Sequence, residues 1–366
     1  MKRQLRLAVA GVGNNISALV QGIYWYRALA GEAPDAPLAG LMRPSLGGYG
    51  PADVEFVAAF DVNGDKVGRP LDEAIFTPPN NYPRLAVQVP PLSAVVRPGP
   101  VLDGMPPHLA ESFATHASQV TEQAVTAALA ESRADVLLYS LPTGAPRAAE
   151  FYARCALAAR VAFVNCTPDP VARDPELLAA FEAAGVPLLG DDLASHIGSS
   201  IVHKTLLKLF MDRGVDVESS YQLNIGGNMD FKNLLNQGQA KAKSKRNALA
   251  DVVADPSVVE VVPSAGYIRS LGDRKVAFLK VEGIGWAGSR VTLDVTLSVQ
   301  DSSNAAGVII DLVRIAALAR DAGSGGFVPG AGYLLKSPPD ATAPRSVVRL
   351  TEAVEELVRR AAVVGV

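Results

Sequence analysis

The segment LRLAVAGVGNN, Leu5–Asn15, decides the fold that this sequence predicts. Its first part, Leu5–Val12, is a nearly uninterrupted apolar run, typical of a parallel strand that is covered on both faces. Gly11 and Gly13 follow where a Rossmann fold makes its pyrophosphate turn: Gly11 permits the tight turn, and Gly13 lets phosphates approach the backbone. A helix predicted from about residue 16 to 29 would bring free N–H groups and its positive dipole end to this turn.

The next predicted strand ends at the second feature of a dinucleotide-binding pattern, an acidic residue. VEFVAAF, Val54–Phe60, ends at Asp61, an acidic residue that can accept hydrogen bonds from the adenosine ribose hydroxyls and so favours NAD over NADP. Asp61 follows the turn by about 50 residues instead of about 20, because a Gly/Pro-rich loop at 31–52 intervenes. A tight structural turn and a turn-forming aspartate are the alternatives, and the third glycine of the motif is replaced by Ser17-Ala18. Together the two features predict NAD.

The rest of the chain alternates between strands and helices and then changes character. From 135 to 213 strands and helices alternate, which predicts βαβ units and a parallel sheet. The stretch 77–107 is expected to be irregular, with an extended piece near 86–89. After residue 215 strand-like segments follow one another, which predicts a largely antiparallel sheet, and helices return at 305–322 and about 344–362. The predicted fold is therefore α/β: a Rossmann-like doubly wound parallel sheet with an inserted α+β domain.

The predicted domain boundaries follow that change. A dinucleotide-binding Rossmann domain should cover residues 1–205 and be completed by 305–366. Residues 206–304 should form an α+β domain for substrate binding and oligomerisation.

Composition excludes several classes of protein. The 366 residues are 49% hydrophobic, but no run reaches the roughly 20 apolar residues that a membrane helix needs. A net charge of −3 offers no general basic surface for nucleic acid. Two cysteines and four histidines show no metal-ligand spacing, so no metal site is predicted. The chain reads as a cytoplasmic protein with a small-molecule partner.

Five further segments, in this order after the glycine turn, carry a family resemblance. They are GDDLASHIGSS (190–200), QLNIGGNMDF (222–231), GDRKVAFLKVEG (272–283), QDSSNAAGVIIDLVR (300–314) and GYLLKSPP (332–339). This set resembles the myo-inositol-1-phosphate synthases, especially their compact actinobacterial and archaeal form. The resemblance implies an NAD-dependent enzyme that oxidises glucose 6-phosphate at C5, enolises C6, closes the ring by aldol attack on C1 and reduces the product. It also implies a homotetramer, and it leaves a monovalent or divalent cation requirement open.

The resemblance also assigns roles to residues. Its reaction needs cationic or hydrogen-bonding groups at developing negative charge, and lysines can supply them. Four lysines match family segments, and two aspartates match acidic positions that orient lysines and hydroxyls: Lys241, Lys245, Lys275 and Lys336, with Asp192 and Asp301. The alternative to an active-site role for residues 241–246 is a solvent-exposed basic segment. We expect Lys336 and Lys241 to polarise the reacting oxygens, and Lys245 and Lys275 to hold the phosphate.

Cofactor and substrate contacts are expected from neighbouring segments. The expected cofactor residues are Gly11, Gly13, Asn14, Asn15, Asp61, Ser140, Gly144 and Asp191. The expected substrate residues are Ser195, Gly198, Ser199, Asn228 and Asp230. A helix predicted over about 195–213 would present its first amides to the phosphate.

One position departs from the family pattern. Ala194 stands where the family often has a lysine, two residues after GDD. A cation is therefore lost beside the phosphate or the reacting carbons, which leaves another hexose phosphate, such as fructose 6-phosphate, open as substrate. A plain NAD-dependent dehydrogenase and a non-catalytic NAD-binding regulator are the remaining alternatives.

Overall fold

The computed structural model describes residues 4–32, 38–235, 256–340 and 345–364. Within these residues, ten strands form two sheets. The first sheet has six strands in the order β3-β2-β1-β4-β5-β6, and every described pairing in it is parallel. Its strands are β1 Leu5–Ala10, β2 Val54–Asp61, β3 Val96–Pro98, β4 Val136–Tyr139, β5 Ala162–Asn165 and β6 Leu188–Leu189. This is the strand order of the doubly wound dinucleotide fold, so the predicted fold class is confirmed.

Helices cover both faces of this sheet. The α-helices of the described residues are α1 Asn14–Glu32, α2 Leu71–Ala74, α3 Pro107–Ala110, α4 Glu122–Glu131, α5 Pro146–Ala158, α6 Pro175–Ala184, α7 Ser199–Asp212, α8 Asp301–Asp321 and α9 Val347–Val364. The α1, α8 and α9 helices pack into the core on one face, and α4, α5 and α6 into the core on the other. The last two helices thus return to the first sheet after the chain has built the second.

Helix α8 is apolar on nearly all sides. By length and composition it could cross a membrane, yet 78% of its most apolar window is buried inside the fold. A helix that is apolar all round is expected in the middle of a large core, and that is where α8 lies.

The second sheet has the order β10-β9-β7-β8. Its strands are β7 Asp216–Gly226, β8 Val259–Tyr267, β9 Arg274–Ile284 and β10 Arg290–Gln300. The pairs β7–β9 and β9–β10 are antiparallel as predicted, but β7 and β8 are parallel, so the sheet is mixed. A parallel pair needs a long crossover connection, and more than 30 residues join these two strands. On one face, Leu207 and Phe210 of α7 pack with Val281.

Two local predictions were wrong. The extended piece expected near residues 86–89 is irregular, and the edge strand of this region is β3 instead. The helix expected from about Ser195 begins at Ser199, because Asn304 accepts hydrogen bonds from the amides of His196 and Ile197 and holds them in a turn.

Candidate functional site

A cleft of about 300 Å³ opens at the carboxyl ends of β1 and β4. The order of the strands reverses between these two, and ligands of open α/β sheets bind at such a point. Fifteen residues expected from the sequence line the cleft: Gly11, Gly13, Asn14, Asn15, Asp61, Ser140, Gly144, Ser195, Gly198, Ser199, Asn228, Asp230, Lys275, Asp301 and Lys336. Residues far apart in the chain thus meet in one cavity.

The glycine turn has the shape that a phosphate-binding turn needs. Gly11 has a φ of +88°, and a Cβ there would lie 2.6 Å from the carbonyl oxygen of Ser140, so only glycine fits. A Cβ at Gly13 would meet nothing within 4 Å, which leaves the backbone open to the cleft. The first helical bond of α1 runs from the Ser17 amide to the Gly13 carbonyl. The amides before Ser17 therefore have no acceptor inside the helix.

Asp61 is already engaged by the backbone. Its Oδ2 accepts from the Val12 amide at 2.6 Å, and its Oδ1 accepts from the Asn63 amide at 2.8 Å. Each carboxylate oxygen has a second lone pair. Asp61 can therefore hold the turn and still accept from a ligand hydroxyl in the cleft.

Asn14 links this turn to the second sheet. Its Nδ2 donates to Asp273 Oδ1 at 2.8 Å and to Asn81 Oδ1 at 2.6 Å. Asp273, at the start of β9, also accepts from the hydroxyl and the amide of Ser302 at 2.6 and 2.9 Å. Burial, opposed by these hydrogen bonds and reinforced by the charge of Asp301, raises the pKa of Asp273 to about 6.

One lysine–carboxylate pair is buried. The segments 191–194 and 334–337 run antiparallel, with the Lys336 amide donating to the Asp192 carbonyl at 2.7 Å. This pairing brings Lys336 Nζ to 3.0 Å from Asp192 Oδ1. The lysine side chain is 9% exposed and the aspartate 0%. Asp192 has a φ of +57°, a conformation that aspartate tolerates better than most residues.

A second pair lies across the cleft at the junction of β9 and α8. Lys275 Nζ is 3.3 Å from Asp301 Oδ1, and the side chains are 13% and 19% exposed. Asn228 Nδ2 donates to Asp301 Oδ2 at 3.2 Å. The lysine also lies 5.8 Å from the centre of the Phe231 ring. This pair is partly open to the cleft.

Two helices that begin at the cleft differ in how their first amides are satisfied. The carboxylate of Asp103 accepts from the amides of the second and third residues of α5, Arg147 and Ala148, and Asp169 accepts from the two amides before that helix. The N-cap of α7 is Gly198, which has no side chain to cap with. Ser200, in the first turn of α7, is buried, and its hydroxyl has no hydrogen-bond partner among the residues that the structure describes. An anion is therefore favoured at α7 and opposed at α5.

Two of the expected residues that the structure describes do not line the cleft, and two more lie outside the described residues. Asp191 is completely buried, and its carboxylate accepts from Asn165, from the amides of 171–173 and from the Arg173 side chain, so it holds a loop together. Asp192 lies behind Lys336. Lys241 and Lys245 fall outside the described residues.

Among the charged residues in or beside the described cleft, sequence reasoning missed three. Lys66, Asp103 and Asp273 line or border the cleft. Asp273 lies inside a segment already quoted for the resemblance, and Lys66 follows Asp61 by five residues. For Asp273 and Lys66, the position of a charged residue inside or next to a recognised motif could have indicated a place in the site. Across residues 4–32, 38–235, 256–340 and 345–364, no group of three or more His, Cys, Asp or Glu residues could hold a metal ion.

The fold and the glycine turn define a protein of the doubly wound Rossmann class. Comparison with known proteins gives the family. A family profile described as "Myo-inositol-1-phosphate synthase" matches residues 198–302. The inositol-3-phosphate synthase of Mycolicibacterium smegmatis is 44% identical over 347 residues, which cover 92% of this chain and 93% of that protein. The chain belongs to the myo-inositol-1-phosphate synthase family, whose members are enzymes of isomerase type.

Solved structures agree with this assignment. The crystal structure of Ari2 is 51% identical, covers 100% of both chains and has a TM-score of 0.84. The structure of a myo-inositol-1-phosphate synthase-related protein from Thermotoga maritima has a TM-score of 0.78 at 24% identity, covering 100% of this chain and 99% of that one. At that identity the second likeness shows the fold alone.

Proposed function

We propose that the protein is an NAD-dependent cyclitol-phosphate synthase that converts glucose 6-phosphate to myo-inositol 1-phosphate. The observation that carries the proposal is the convergence of a dinucleotide-type glycine turn and two lysine–carboxylate pairs on one cleft. The family relationship supports the same reaction class.

The residues of the glycine turn fit a dinucleotide. Gly11 and Gly13 leave the backbone bare, α1 begins with amides that have no helical acceptor, and Asp61 has spare lone pairs for ribose hydroxyls. NAD, when bound, supplies a hydride acceptor that later returns the hydride, so the overall reaction is a redox-neutral isomerisation. A plain dehydrogenase would accumulate NADH instead.

The chemistry then divides among side chains of the cleft. The ammonium of Lys336, oriented by Asp192, would stabilise the oxygen that gains charge during oxidation, enolisation and aldol closure. Lys275, oriented by Asp301, would meet the phosphate, as would the first turn of α7 with Ser199 and the buried hydroxyl of Ser200. Lys241 and Lys245 remain proposed partners in these two tasks. A cation requirement also stays an open expectation.

A second substrate is favoured by one observation. Ala194 lines the cleft beside Ser195, and its methyl group occupies a position where many family members carry a lysine. With that cation absent, the same chemistry on fructose 6-phosphate, giving a different cyclitol phosphate, is the second candidate.

One experiment separates these proposals. The purified protein would be incubated with NAD and either glucose 6-phosphate or fructose 6-phosphate, and the products would be identified by NMR while absorbance at 340 nm follows NADH. We expect a cyclitol phosphate without net NADH. A cyclitol phosphate from fructose 6-phosphate alone would support the second candidate. Stoichiometric NADH without ring closure would contradict both.

The domain division, a cytoplasmic location and a homotetramer are also part of this proposal. The outer face of the second sheet exposes Tyr221 and Phe278, and the β9–β10 hairpin carries Trp286, which is 93% exposed. Such apolar surface favours burial against other copies of the chain. Light scattering at micromolar concentration should give four times the chain mass of 38.2 kDa, and a monomer would contradict the assembly.

A further inference from the structure

Lys66 is a buried lysine beside the glycine turn, away from the two lysine–carboxylate pairs. It follows β2 in an irregular turn, is 3% exposed and lines the cleft. Burial lowers the pKa of its ammonium, and the charge of Asp61 opposes that effect. A lysine is rarely buried so completely unless its charge or its hydrogen bonds are used.

Its hydrogen bonds go to the turn itself. Lys66 Nζ donates to the Val12 carbonyl at 2.7 Å and to Asn80 Oδ1 at 2.9 Å. Asn80 Nδ2 donates to the same Val12 carbonyl at 3.0 Å and to the Ile75 carbonyl at 3.0 Å. The Val12 amide donates to Asp61. Both peptide groups of Val12, the middle residue of the turn, are therefore held by side chains.

Because the peptide group between Val12 and Gly13 is planar, holding its carbonyl also restricts the direction of its N–H. The Val12 carbonyl and the Gly13 N–H belong to one trans peptide and point in opposite directions. When Lys66 and Asn80 fix the carbonyl behind the turn, they also fix the direction of the Gly13 N–H. Because Gly13 has no Cβ and open space around it, its backbone could otherwise rotate at little cost.

We propose that Lys66 is a positioning residue of the dinucleotide site, which aims the Gly13 amide at the pyrophosphate by holding the Val12 carbonyl. This inference rests on the proposed use of NAD. Lys66 would act on the phosphate-binding part of the cofactor site, whereas Asp61 is the residue proposed to meet the ribose hydroxyls. The two residues should therefore affect different parts of the ligand.

The test compares ligands with and without the pyrophosphate. Binding of NAD, ADP and adenosine would be measured by calorimetry for the wild type, Lys66→Met and the matched control Lys208→Met, a lysine on the exposed face of α7 paired with Asp212. Lys66→Met should weaken NAD and ADP about tenfold and change adenosine affinity less than twofold. Lys208→Met should change none of them.

A double-mutant cycle tests the shared acceptor. If Lys66 and Asn80 act through the same carbonyl, the effects of Lys66→Met and Asn80→Ala on NAD affinity should not add. Thermal unfolding without ligand checks that each variant is folded, and Lys66→Ala, which also lacks the donor, replaces Lys66→Met if that variant is not.

The outcomes separate the inference from the proposal beneath it. Unchanged NAD affinity in a folded Lys66 variant, or equal losses for NAD and adenosine, would overturn the role of Lys66 alone. A wild-type protein that binds no NAD would overturn the proposed function and this role together.

Discussion

The two lysine–carboxylate pairs of the cleft have the same chemistry but different surroundings. The side chains of Lys336 and Asp192 are 9% and 0% exposed, and backbone hydrogen bonds between their two segments hold them in place. Lys275 and Asp301 are partly exposed, and Asp301 also accepts a hydrogen bond from Asn228. A buried charge pair polarises a reacting oxygen strongly because little water screens it. A partly open pair suits a group that binds an anion and releases it.

Replacing Lys336 should have the largest effect. Lys336→Met keeps the stem of the side chain but removes the ammonium, and kcat should fall about 10²–10³-fold because a transition-state donor is lost. Steady-state kinetics with the sugar phosphate would measure this, and NAD affinity should stay near the wild-type value. Turnover within a factor of three of the wild type would exclude the buried pair as the main electrophile.

The same variant should also lose stability, and this loss can be separated from catalysis. Removing one partner of a buried pair typically costs about 3–5 kcal/mol in the free energy of unfolding. In the double variant Lys336→Met/Asp192→Asn the uncompensated carboxylate is gone, so denaturant unfolding should show recovery of most of that stability. Activity should not return. Recovery of both would mean that Lys336 has only a structural role.

Asp273 connects the partly open pair to the glycine turn and should make stability depend on pH. Burial raises its pKa from the ordinary 3.8 to about 6. The folded state then binds its proton more tightly than the unfolded state, so this carboxyl stabilises the fold at low pH relative to high pH. That contribution is fully present below about pH 4 and is lost as the pH rises through about 6.

Unfolding by denaturant between pH 4 and 7 measures this effect. A raised pKa of this size corresponds to about 3 kcal/mol at most. Asp273→Asn should flatten the dependence, while the control Asp212→Asn, on an exposed part of α7, should leave it unchanged. Equal pH profiles for Asp273→Asn and the wild type would mean that Asp273 titrates like an exposed aspartate.

Replacing Lys275 should act mainly on binding. Lys275→Ala should raise KM for the sugar phosphate about tenfold and lower kcat less than Lys336→Met does. Its unfolding free energy should change by no more than about 1 kcal/mol, because partly exposed pairs contribute little. A larger fall in kcat than in Lys336→Met would reverse the assignment of the two pairs.

The hydroxyls at the start of α7 should have the smallest effect. Ser200→Ala removes a buried hydroxyl that a phosphate could use, so KM should rise about three- to tenfold, the range of a single hydrogen bond. Thr205→Ala, further along α7, removes a hydroxyl that donates to the Ile201 carbonyl and should leave KM unchanged. If both variants behave alike, the start of α7 does not bind the phosphate.

Local patterns in the chain predicted much of this architecture. The glycine turn, the alternation of strands and helices and the change of character after residue 215 all appear in the structure. The errors are equally local. Residues 195–198 read as helix by composition, but Asn304, more than 100 positions away, holds them in a turn. No periodicity within the segment could have revealed that partner.

The sequence by itself determined the parallel sheet, the position of the glycine turn and the family, because these depend on residue type and spacing over short stretches. Only the tertiary structure decided which charges meet. Lys336 and Asp192 are 144 positions apart, and Asn14 and Asp273 are 259 positions apart. Their contacts depend on how the loops close around the ends of β1 and β4. The burial that separates one lysine pair from the other, and that raises the pKa of Asp273, exists only once the two sheets have packed.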